Sequence, residues 1–261
     1  MNILFTICAR ANSKGFKNKN LKQLHAVPLV YYTLAVIKLY KDTHADEVSV
    51  ALNTDSEDLR MIVQRQKLLE TIIYVDRKAA LAGDFVPKVD VIRDTYLELN
   101  GRFDAVIDLD ITSPIRRLED IEQIVNIYKH DNTYDLVFSV VPARRSPYFN
   151  MVEKKADGFY KKICQSNFTA RQQAPTAFEL NASIYLYSSN FLQRAISKPI
   201  LDYRCGISTM MDYLVLDIDS EKDFTLMELL HPYYCSQDKA LDLVYRTAQE
   251  IVNTSVCEYG G

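Results

Sequence analysis

Apolar runs of strand length alternate with helix-length segments along residues 1–141 of this chain. Short runs rich in Val, Ile and Leu and bounded by polar turns are typical of strands buried on both faces of a parallel sheet. The segments between them repeat apolar residues at helical spacing and indicate helices packed on that sheet. The pattern predicts an α/β fold of three layers with a mostly parallel sheet. The predicted strands are 2–9, 47–52, 71–75, 104–110 and 135–141. The predicted helices are 28–41, one that is capped by Ser56 and runs to 68 or 69, 88–99 and 118–129.

The alternation stops at residue 142. Residues 142–173 are polar and aromatic with many turn signals, and Lys154-Lys155-Ala156-Asp157-Gly158 predicts a hairpin. Sheet character resumes at 182–187, so we predict one α/β domain over 1–141 and 174–261 with an insertion over 142–173. Further predicted elements are a helix at 190–196, a last strand at 214–219, a helix at 221–230 capped by Ser220, a tail helix at 238–252 and a frayed end at 253–261.

The composition argues against several classes of function. With 31 basic and 34 acidic residues the net charge is −3, which is unlike a general nucleic-acid or anionic-membrane binder, so any basic site must be local. Five scattered cysteines without C-x-x-C spacing indicate reduced thiols rather than disulfides or a zinc site. The first apolar run lacks the pattern of a secretory leader and no run has transmembrane length, so we expect a cytoplasmic protein that binds no membrane.

A basic loop follows the first predicted strand. Arg10, Lys14, Lys17 and Lys19 fall within ten residues, interleaved with Asn, Ser and Gly. Small and amide residues allow a tight bend that brings backbone N–H groups to a ligand, and the cations neutralise anionic oxygens. At the carboxyl edge of an α/β sheet such a loop suits phosphate, although charge and glycine alone favour a solvated basic loop equally. The spacing matches neither a P-loop nor a dinucleotide fingerprint.

Two carboxylates end the last predicted strand. Asp217 and Asp219 flank Ile218, so strand alternation predicts both on one face. Such a pair suits Mg²⁺, which keeps phosphate oxygens and water in its shell. On this spacing alone, a helix cap formed by Asp219 with Ser220 is the favoured interpretation. The four histidines, His25, His44, His130 and His231, share no metal-ligand spacing, and we expect each at the surface or in a loop.

Five segments resemble, in the same order, the motifs of one enzyme family. Residues 9–15 followed by 19–21 resemble the signature loop of the cytidylyltransferases that activate sialic acids and related 2-keto sugar acids. These enzymes are the CMP-N-acylneuraminate synthetases and their relatives for legionaminate, pseudaminate and Kdo. The other segments are 77–84, 108–116, 171–185 and 217–224, and the resemblance spans about residues 2–230. It implies a Rossmann-like nucleotidyltransferase fold, Mg²⁺ as cofactor, and transfer of CMP from CTP to the anomeric 2-hydroxyl of a nonulosonic acid with release of pyrophosphate.

The resemblance also implies roles for individual residues. The implied catalytic residues are Arg10, Lys14, Lys19 and Asp217, with the base left open between Asp217 and a metal-bound hydroxide, and the implied metal ligands are Asp217 and Asp219. The implied nucleotide-binding residues are Ala9, Arg10, Asn12, Ser13, Lys14, Lys19, Asn20, Arg77 and Asp84. The implied sugar-binding residues are Asp110, Thr112, Ser113, Arg171, Gln172, Asn181 and Tyr185. Arg116 could hold a carboxylate or start a helix, and the role expected of 53–55 is structural.

Departures from the family's motifs bear on the acceptor. Asp110 stands where most neuraminate enzymes have Gln, Glu179 stands where they have Arg, and Ser183 replaces a small residue of their motif. These differences argue against N-acetylneuraminate, and the D-L-D-x-T-S-P form at 108–114 looks more like the legionaminate-type enzymes. From the residues alone, Asp110 is equally a buried acid satisfied by loop N–H groups, and Tyr185 could be a core aromatic.

Other functions remain open at this point. An enzyme of the same fold could act on Kdo or pseudaminate, or use GTP or UTP, and a non-catalytic sugar-nucleotide-binding protein would be a different class. The last predicts missing basic or metal-binding residues, yet these are present. The insertion 142–173 resembles the family's dimerisation arm, which implies a homodimer, and its aromatic residues suit an interface.

Overall fold

Strands and helices alternate through the part of the chain described by the computed structural model, residues 1–11, 15–67, 69–212 and 217–256, with side chains to residue 254. The strands are β1 Asn2–Ala9, β2 Gln23–Leu24, β3 Val27–Pro28, β4 Glu47–Thr54, β5 Ile73–Asp76, β6 Ala105–Leu109, β7 Leu136–Pro142, β8 Val152–Lys154, β9 Tyr160–Lys162, β10 Phe178–Ser188 and β11 Cys205–Thr209. The α-helices are α1 Leu29–Thr43, α2 Glu57–Gln64, α3 Lys88–Glu98, α4 Leu118–His130, α5 Ser189–Gln193, α6 Glu221–Gln237 and α7 Lys239–Val256. None of these helices is both long and apolar enough to cross a bilayer.

The central sheet confirms the predicted α/β class. Among the described residues its strand order is β11-β7-β10-β6-β1-β4-β5. Strand β1 pairs in parallel with both β4 and β6, β4 with β5, and β7 with β11, whereas β10 runs antiparallel between β6 and β7. Ala9 is in register with Thr54, so β1 and β4 end together. The carboxyl ends of the parallel strands thus form one edge, where ligands bind in open α/β sheets.

Alternation along β1 sorts its side chains into two buried layers. Ile3, Phe5 and Ile7 are fully buried in the apolar layer that contains α1. Leu4 points to the other face, where it belongs to the layer that contains Ile92 of α3. Because both faces are covered, the strand is apolar apart from Asn2 at its start and the buried Thr6, in keeping with the run at 2–9.

Most predicted element bounds hold to within a few residues, and α2 shows where one does not. Ser56 caps it as predicted, with Oγ accepting a hydrogen bond from the Leu59 N–H. The helix ends at Gln64 rather than at 68 or 69, and Leu68 lies outside the described residues. The Gln66 side-chain amide bonds both the N–H and the carbonyl of Leu69, so a local turn replaces the expected last helical turn.

The prediction of a last strand at 214–219 is wrong for the residues of this segment that the structure describes. Residues 214–216 lie outside the described part, and Asp217 and Ile218 are not in a strand. The sheet edge is formed instead by β11, whose polar sequence Cys-Gly-Ile-Ser-Thr lacks an apolar run. It pairs in parallel with β7, and a Cβ at Gly206 would lie 3.2 Å from the Tyr134 ring, so the strand depends on tertiary contact.

Strands β8 and β9 pair antiparallel and confirm the hairpin predicted at 154–158. Gly158 in its turn has φ of 84°, a conformation that glycine adopts without strain. The hairpin and its flanks expose large apolar side chains to solvent. These are Met151, Val152, Phe159, Tyr160 and Ile163.

The C-terminal helices pack on α1 through an aromatic cluster. The His231 ring stacks on His25 at 5.3 Å between centroids and meets Tyr32 and Tyr245 edge-on. The expectation that every histidine lies at the surface or in a loop is therefore wrong for His231, which is buried inside α6. Helix α7 continues to Val256, so fraying does not begin at 253, and 257–261 lie outside the described residues.

This cluster predicts a loss of stability in mild acid. Burial, and after it the nearby His25, lowers the pKa of His231 from 6.5 to about 4. Between these two pH values His231 is protonated in the unfolded state but stays neutral in the folded state. The free energy of unfolding therefore falls as the pH falls. We expect a loss of about 3 kcal/mol, complete near pH 4. Urea unfolding from pH 7 to pH 4 measures it. His231→Phe should flatten this slope, while His130→Phe at an exposed helix end should not, and equal slopes in all three proteins would contradict the assignment.

Candidate active site

The carboxyl ends of β1, β5 and β6 open into a cavity of about 320 Å³. Its walls come from the loop after β1, the segment after β5, the start of α3 and the residues before α6. Segments distant in sequence therefore meet at this one edge of the sheet. The polar and charged side chains in the wall are those of Cys8, Arg10, Lys19, Asn20, Arg77, Asp84, Lys88, Asp110 and Asp219.

The loop after β1 is held by hydrogen bonds from its neighbours. The Ala11 N–H donates to Asp55 Oδ1 at 2.7 Å, and Asn20 Nδ2 donates to the Arg10 carbonyl at 3.2 Å. Asp55 follows β4, so the structural role expected for 53–55 is consistent with this contact. A Cβ at Gly15 would lie 3.0 Å from the Asp219 carbonyl oxygen, so a glycine permits the close approach of these two segments. The predicted site residues Asn12, Ser13 and Lys14 lie outside the described residues.

Two basic side chains of this loop are paired with acids from other segments. Lys19 Nζ lies 2.8 Å from Asp219 Oδ1 and also donates to the Ile218 carbonyl at 3.1 Å. Arg10 Nη1 donates to Asp84 Oδ1. Both cations line the cavity, so the structure brings together the first loop, the 77–84 segment and the 217–219 segment, as the motifs imply.

Arg77 lies on the cavity wall with its guanidinium fixed from behind. Its Nε donates to Asn53 Oδ1 at 3.0 Å, and Asn53 is buried at the end of β4. Asn53 also donates to Thr95 Oγ1 in α3 at 2.9 Å. Arg77 itself lies outside the strands and helices, so it is this chain of side chains that orients its guanidinium.

Asp217 and Asp219 come close together for a different reason from the one predicted. They do not alternate along a strand, and the Ile218 N–H instead donates to the Thr112 carbonyl at 3.0 Å. Asp217 Oδ1 accepts from Ser113 Oγ at 3.4 Å, whereas the Asp219 side chain is 75% exposed. Burial first, and then the charges of Asp110 and Asp219, raise the pKa of the Asp217 carboxyl.

The helix-cap alternative is correct for Ser220 but not for the Asp219 side chain. Ser220 is the N-cap of α6 and forms a capping box with Asp223. The Asp219 carboxylate faces Lys19 instead and is left for the cavity. Within the described ranges no three His, Cys, Asp or Glu side chains cluster as a metal site. Two carboxylates completed by substrate phosphates and water are nonetheless the usual shell of Mg²⁺, so this donor set fits that ion.

Lys88 is a site residue that the sequence analysis missed. Its Nζ lies 2.7 Å from Asp108 Oδ2 and 2.8 Å from Asp110 Oδ2. Asp110 Oδ1 accepts hydrogen bonds from the Thr112 N–H and hydroxyl. Burial alone would raise the pKa of Asp110, but the charge and hydrogen bond of Lys88, followed by the Thr112 hydrogen bonds, hold it well below its usual value. Asp110 therefore combines both interpretations, since loop donors satisfy one oxygen while the side chain still lines the cavity. The signal in the sequence was Asp108, an acid inside a buried strand that needs a counter-ion.

A second cavity of about 640 Å³ adjoins the first at Lys88 and Asp110, which line both. Its remaining walls are mostly apolar or aromatic. Tyr185 lies here, stacked on Tyr187 at 6.2 Å between ring centroids, and its role in sugar binding stays a prediction. The cavity therefore offers apolar surface beside the Lys88–Asp110 ion pair, and Asp90, Ser197 and Lys198 are the other polar residues of its wall. The other apolar wall residues are Pro87, Val89, Ala182, Ile196, Pro199 and Ile200.

Several residues predicted to bind the sugar do not line either cavity. Arg171 and Gln172 are exposed, and Arg171 Nη2 donates to the Ala143 carbonyl at 2.7 Å. Asn181 is buried, with its oxygen accepting from Ser139 Oγ at 2.6 Å. Thr112 and Ser113 are also buried, and their hydroxyls donate to Asp110 and Asp217. The turn after β6 points these two side chains inward, so they orient the carboxylates of Asp110 and Asp217.

Arg116 does not line either cavity. It is fully buried, and its Nε donates to the Ser113 carbonyl at 3.1 Å while Nη2 donates to the Asp110 carbonyl. Its guanidinium thus closes the turn that carries Asp110, Thr112 and Ser113. The expectation that Arg116 could hold a carboxylate stays a prediction.

Comparison with known proteins identifies the family. The sequence profile described as "Cytidylyltransferase" matches residues 4–239. The chain is 35% identical over 235 residues to "Post-translational flagellin modification protein B" of Campylobacter coli and 34% identical over 235 residues to "CMP-N,N'-diacetyllegionaminic acid synthase" of Campylobacter jejuni, covering 87% of this chain and 94% of each relative. The solved structure of CMP:2-keto-3-deoxy-manno-octonic acid synthetase complexed with CTP shares the fold, with a TM-score of 0.65, 13% identity, and coverage of 90% of this chain and all of that one. The chain belongs to the cytidylyltransferase family and is an enzyme of the nucleotidyltransferase kind.

Proposed function

We propose that this enzyme transfers CMP from CTP to the anomeric 2-hydroxyl of a nonulosonic acid of the legionaminic type and releases pyrophosphate. The observation that carries the proposal is the junction of two unlike cavities at Asp110 and Lys88, one lined by loop cations and the other by apolar residues. A polar triphosphate suits the first, and a sugar with apolar substituents suits the second. The name of the Campylobacter jejuni relative supports the same acceptor.

Positioning and charge neutralisation account for the chemistry that these residues can perform. Arg10, Lys14 and Lys19 would hold the triphosphate, with Lys19 near the α-phosphate. The 2-hydroxyl would attack the α-phosphorus in line as pyrophosphate leaves, and the cations would stabilise the charge that develops on the phosphoryl oxygens. Arg77 and Asp84 would border the cytosine and ribose. Ala9, Asn12, Ser13 and Asn20 would complete the nucleotide site.

Asp217 and Asp219 are the proposed ligands of Mg²⁺. When bound, this ion polarises phosphoryl oxygens and neutralises the departing pyrophosphate. Without a cation, burial first and then the negative charges of Asp110 and Asp219 disfavour the ionised form of the half-buried Asp217 carboxylate and raise its pKa. Lys19 pairs directly with Asp219, and its charge offsets the raised pKa of Asp217 only in part. A divalent cation would therefore relieve a repulsion built into the site.

The acceptor is proposed from the character of the second cavity. Acetamido methyls and a deoxygenated side-chain end are apolar and match walls such as Tyr185, Tyr187 and Ile200. A fully hydroxylated acceptor such as Kdo would leave more hydroxyls beside those walls. Each buried hydroxyl without a partner lowers affinity.

Pyrophosphate release tests this proposal. The wild-type enzyme is incubated with CTP, Mg²⁺ and, separately, N-acetylneuraminate, legionaminate, pseudaminate, Kdn and Kdo. We expect release with legionaminate at the highest kcat/KM and none with Kdo. Release with Kdo alone would favour a CMP-Kdo synthetase of the same fold. Competition by GTP or UTP would favour an enzyme that uses one of these nucleotides instead of CTP. If CTP does not bind at all, the proposal fails.

We also propose a homodimer in the cytoplasm, with residues 142–173 as the dimerisation arm. The exposed apolar side chains of the β8–β9 hairpin and its flanks support the arm, because such residues favour burial at an interface. Cys8, Cys164, Cys205 and Cys235 are free thiols, in keeping with a reducing compartment. Sedimentation should give twice the chain mass of 30.0 kDa, and a monomer at micromolar concentration would contradict the dimer.

A further inference from the structure

Lys88 occupies the junction of the two cavities. Its ammonium carries three N–H donors. Within the described part of the chain, its hydrogen-bonding and ion-pair partners are the carboxylates of Asp108 and Asp110, at 2.7 and 2.8 Å. One N–H is hydrogen-bonded to Asp110 Oδ2 and the contact with Asp108 Oδ2 is an ion pair, so at least one donor is left for a ligand. The side chain is 33% exposed and lines both cavities, so a ligand can reach it.

The stability of α3 does not explain a lysine at this position. Lys88 is the first residue of the helix after the N-cap Pro87, where the positive end of the helix dipole disfavours a cation. Asp90 in the same turn is the kind of residue that stabilises a helix start. Local rules broken in this way concentrate at functional sites.

Neutralising Asp108 is the competing explanation. Asp108 is fully buried, with its other oxygen accepting from Thr6 Oγ1 at 2.8 Å, and it requires a positive neighbour. Arg116, which is also buried, lies close enough to interact with the charges of both Asp108 and Asp110. Asp108 thus has a second positive neighbour besides Lys88, although Asp120 and Asp217 also lie close enough to Arg116 to interact with its charge. If Lys88 only neutralised Asp108, its ammonium would not need to reach the cavities.

We propose that Lys88 binds an anionic oxygen at the junction, either the carboxylate of the acceptor or the α-phosphate of the nucleotide. The inference rests on the proposed function, because the junction is where the acceptor hydroxyl and the α-phosphate would meet. Both sources present the same chemistry, an anionic oxygen that accepts the third N–H of the ammonium. Lys88 would then be a substrate-binding residue and would set the alignment of the two reactants.

The experiment separates this role from the neutralisation of Asp108. Lys88→Met alone should destabilise the fold, because it leaves Asp108 buried and unpaired. The double variant Lys88→Met with Asp108→Asn removes both charges and keeps an oxygen for Thr6, so it should unfold at close to the wild-type temperature. In this variant we expect the KM of one substrate to rise about ten- to hundredfold, the effect of losing a hydrogen bond to a charged group. Lys88→Arg keeps a charged donor and should lose less.

The two sources give different kinetic results. A raised KM for the sugar acid with an unchanged KM for CTP identifies the acceptor carboxylate, and the reverse identifies the nucleotide phosphate. Lys78→Met is the matched control, since Lys78 also pairs with two carboxylates, Asp94 and Glu98, but lines neither cavity. If both KM values of the double variant stay within about twofold of wild type, Lys88 only neutralises Asp108 and the inference fails. A wild-type enzyme that releases no pyrophosphate would instead overturn the proposed function, and this inference with it.

Discussion

Asp217→Asn is expected to lower kcat/KM by about a thousandfold while leaving the protein at least as stable as wild type at pH 7. The substitution keeps the shape of the side chain and removes the charge of a proposed Mg²⁺ ligand. A metal contact to a reacting phosphoryl group contributes several kcal/mol, and each 1.36 kcal/mol is tenfold in rate. Stability should not fall, because the raised pKa of Asp217 shows that its folded environment disfavours the ionised carboxylate present at pH 7.

Three measurements on purified protein check this result. They are the rate of pyrophosphate release, the Mg²⁺ concentration for half-maximal rate, which should rise, and the midpoint of thermal unfolding. Asp212→Asn is the control, because Asp212 is a carboxylate of the same region that is 54% exposed and pairs with the exposed Arg144. Its loss should change little. Near-normal kcat/KM in Asp217→Asn would remove Asp217 from the site.

Arg116→Met should destabilise the protein by about 3 to 5 kcal/mol, the range for removing one partner from a buried charged group. Burial lowers the pKa of Arg116 to about 10, so the guanidinium is still positive at pH 7. The variant loses the hydrogen bonds to the Asp110 and Ser113 carbonyls and the positive charge beside Asp108 and Asp110. Orphaned carbonyls in a buried turn add to the loss.

Urea unfolding at pH 7 measures this effect. Arg246→Met serves as the control, since Arg246 is 71% exposed and pairs with Asp242 one helical turn away, a contact worth less than about 0.5 kcal/mol. An Arg116 variant as stable as this control would show that the guanidinium does not hold the turn. Activity at a temperature where the variant is still folded should also fall, because the same turn carries Asp110.

The sequence predicted most of the fold, and the errors share one cause. Ser56 and Ser220 cap helices as expected because a cap is a contact between residues three positions apart. Strand β11 was missed because its residues carry no apolar pattern, and only its pairing with β7 makes it a strand. His231 was misplaced because helical spacing in α6 does not show that α1 and α7 enclose it.

The candidate site divides in the same way. Resemblance to family motifs located Arg10, Lys19, Arg77, Asp84 and Asp219, and the structure brings all of them to one cavity. The resemblance did not show that Asn181 is buried against Ser139, or that Arg171 lies on the surface. A motif records which residue stands at a position, whereas the contacts of that residue depend on elements far away in the chain.

The sequence by itself determined the alternation of strands and helices, the helix starts, and a basic loop at the end of the first strand. Those features depend on periodicity and on contacts within a few residues. Only the tertiary structure decided which charges meet, placing Lys88 between Asp108 and Asp110 and bringing Lys19 to Asp219, 200 positions along the chain. Ion pairs act over a few ångströms, and the distance between such residues exists only once the sheet has aligned the ends of its strands.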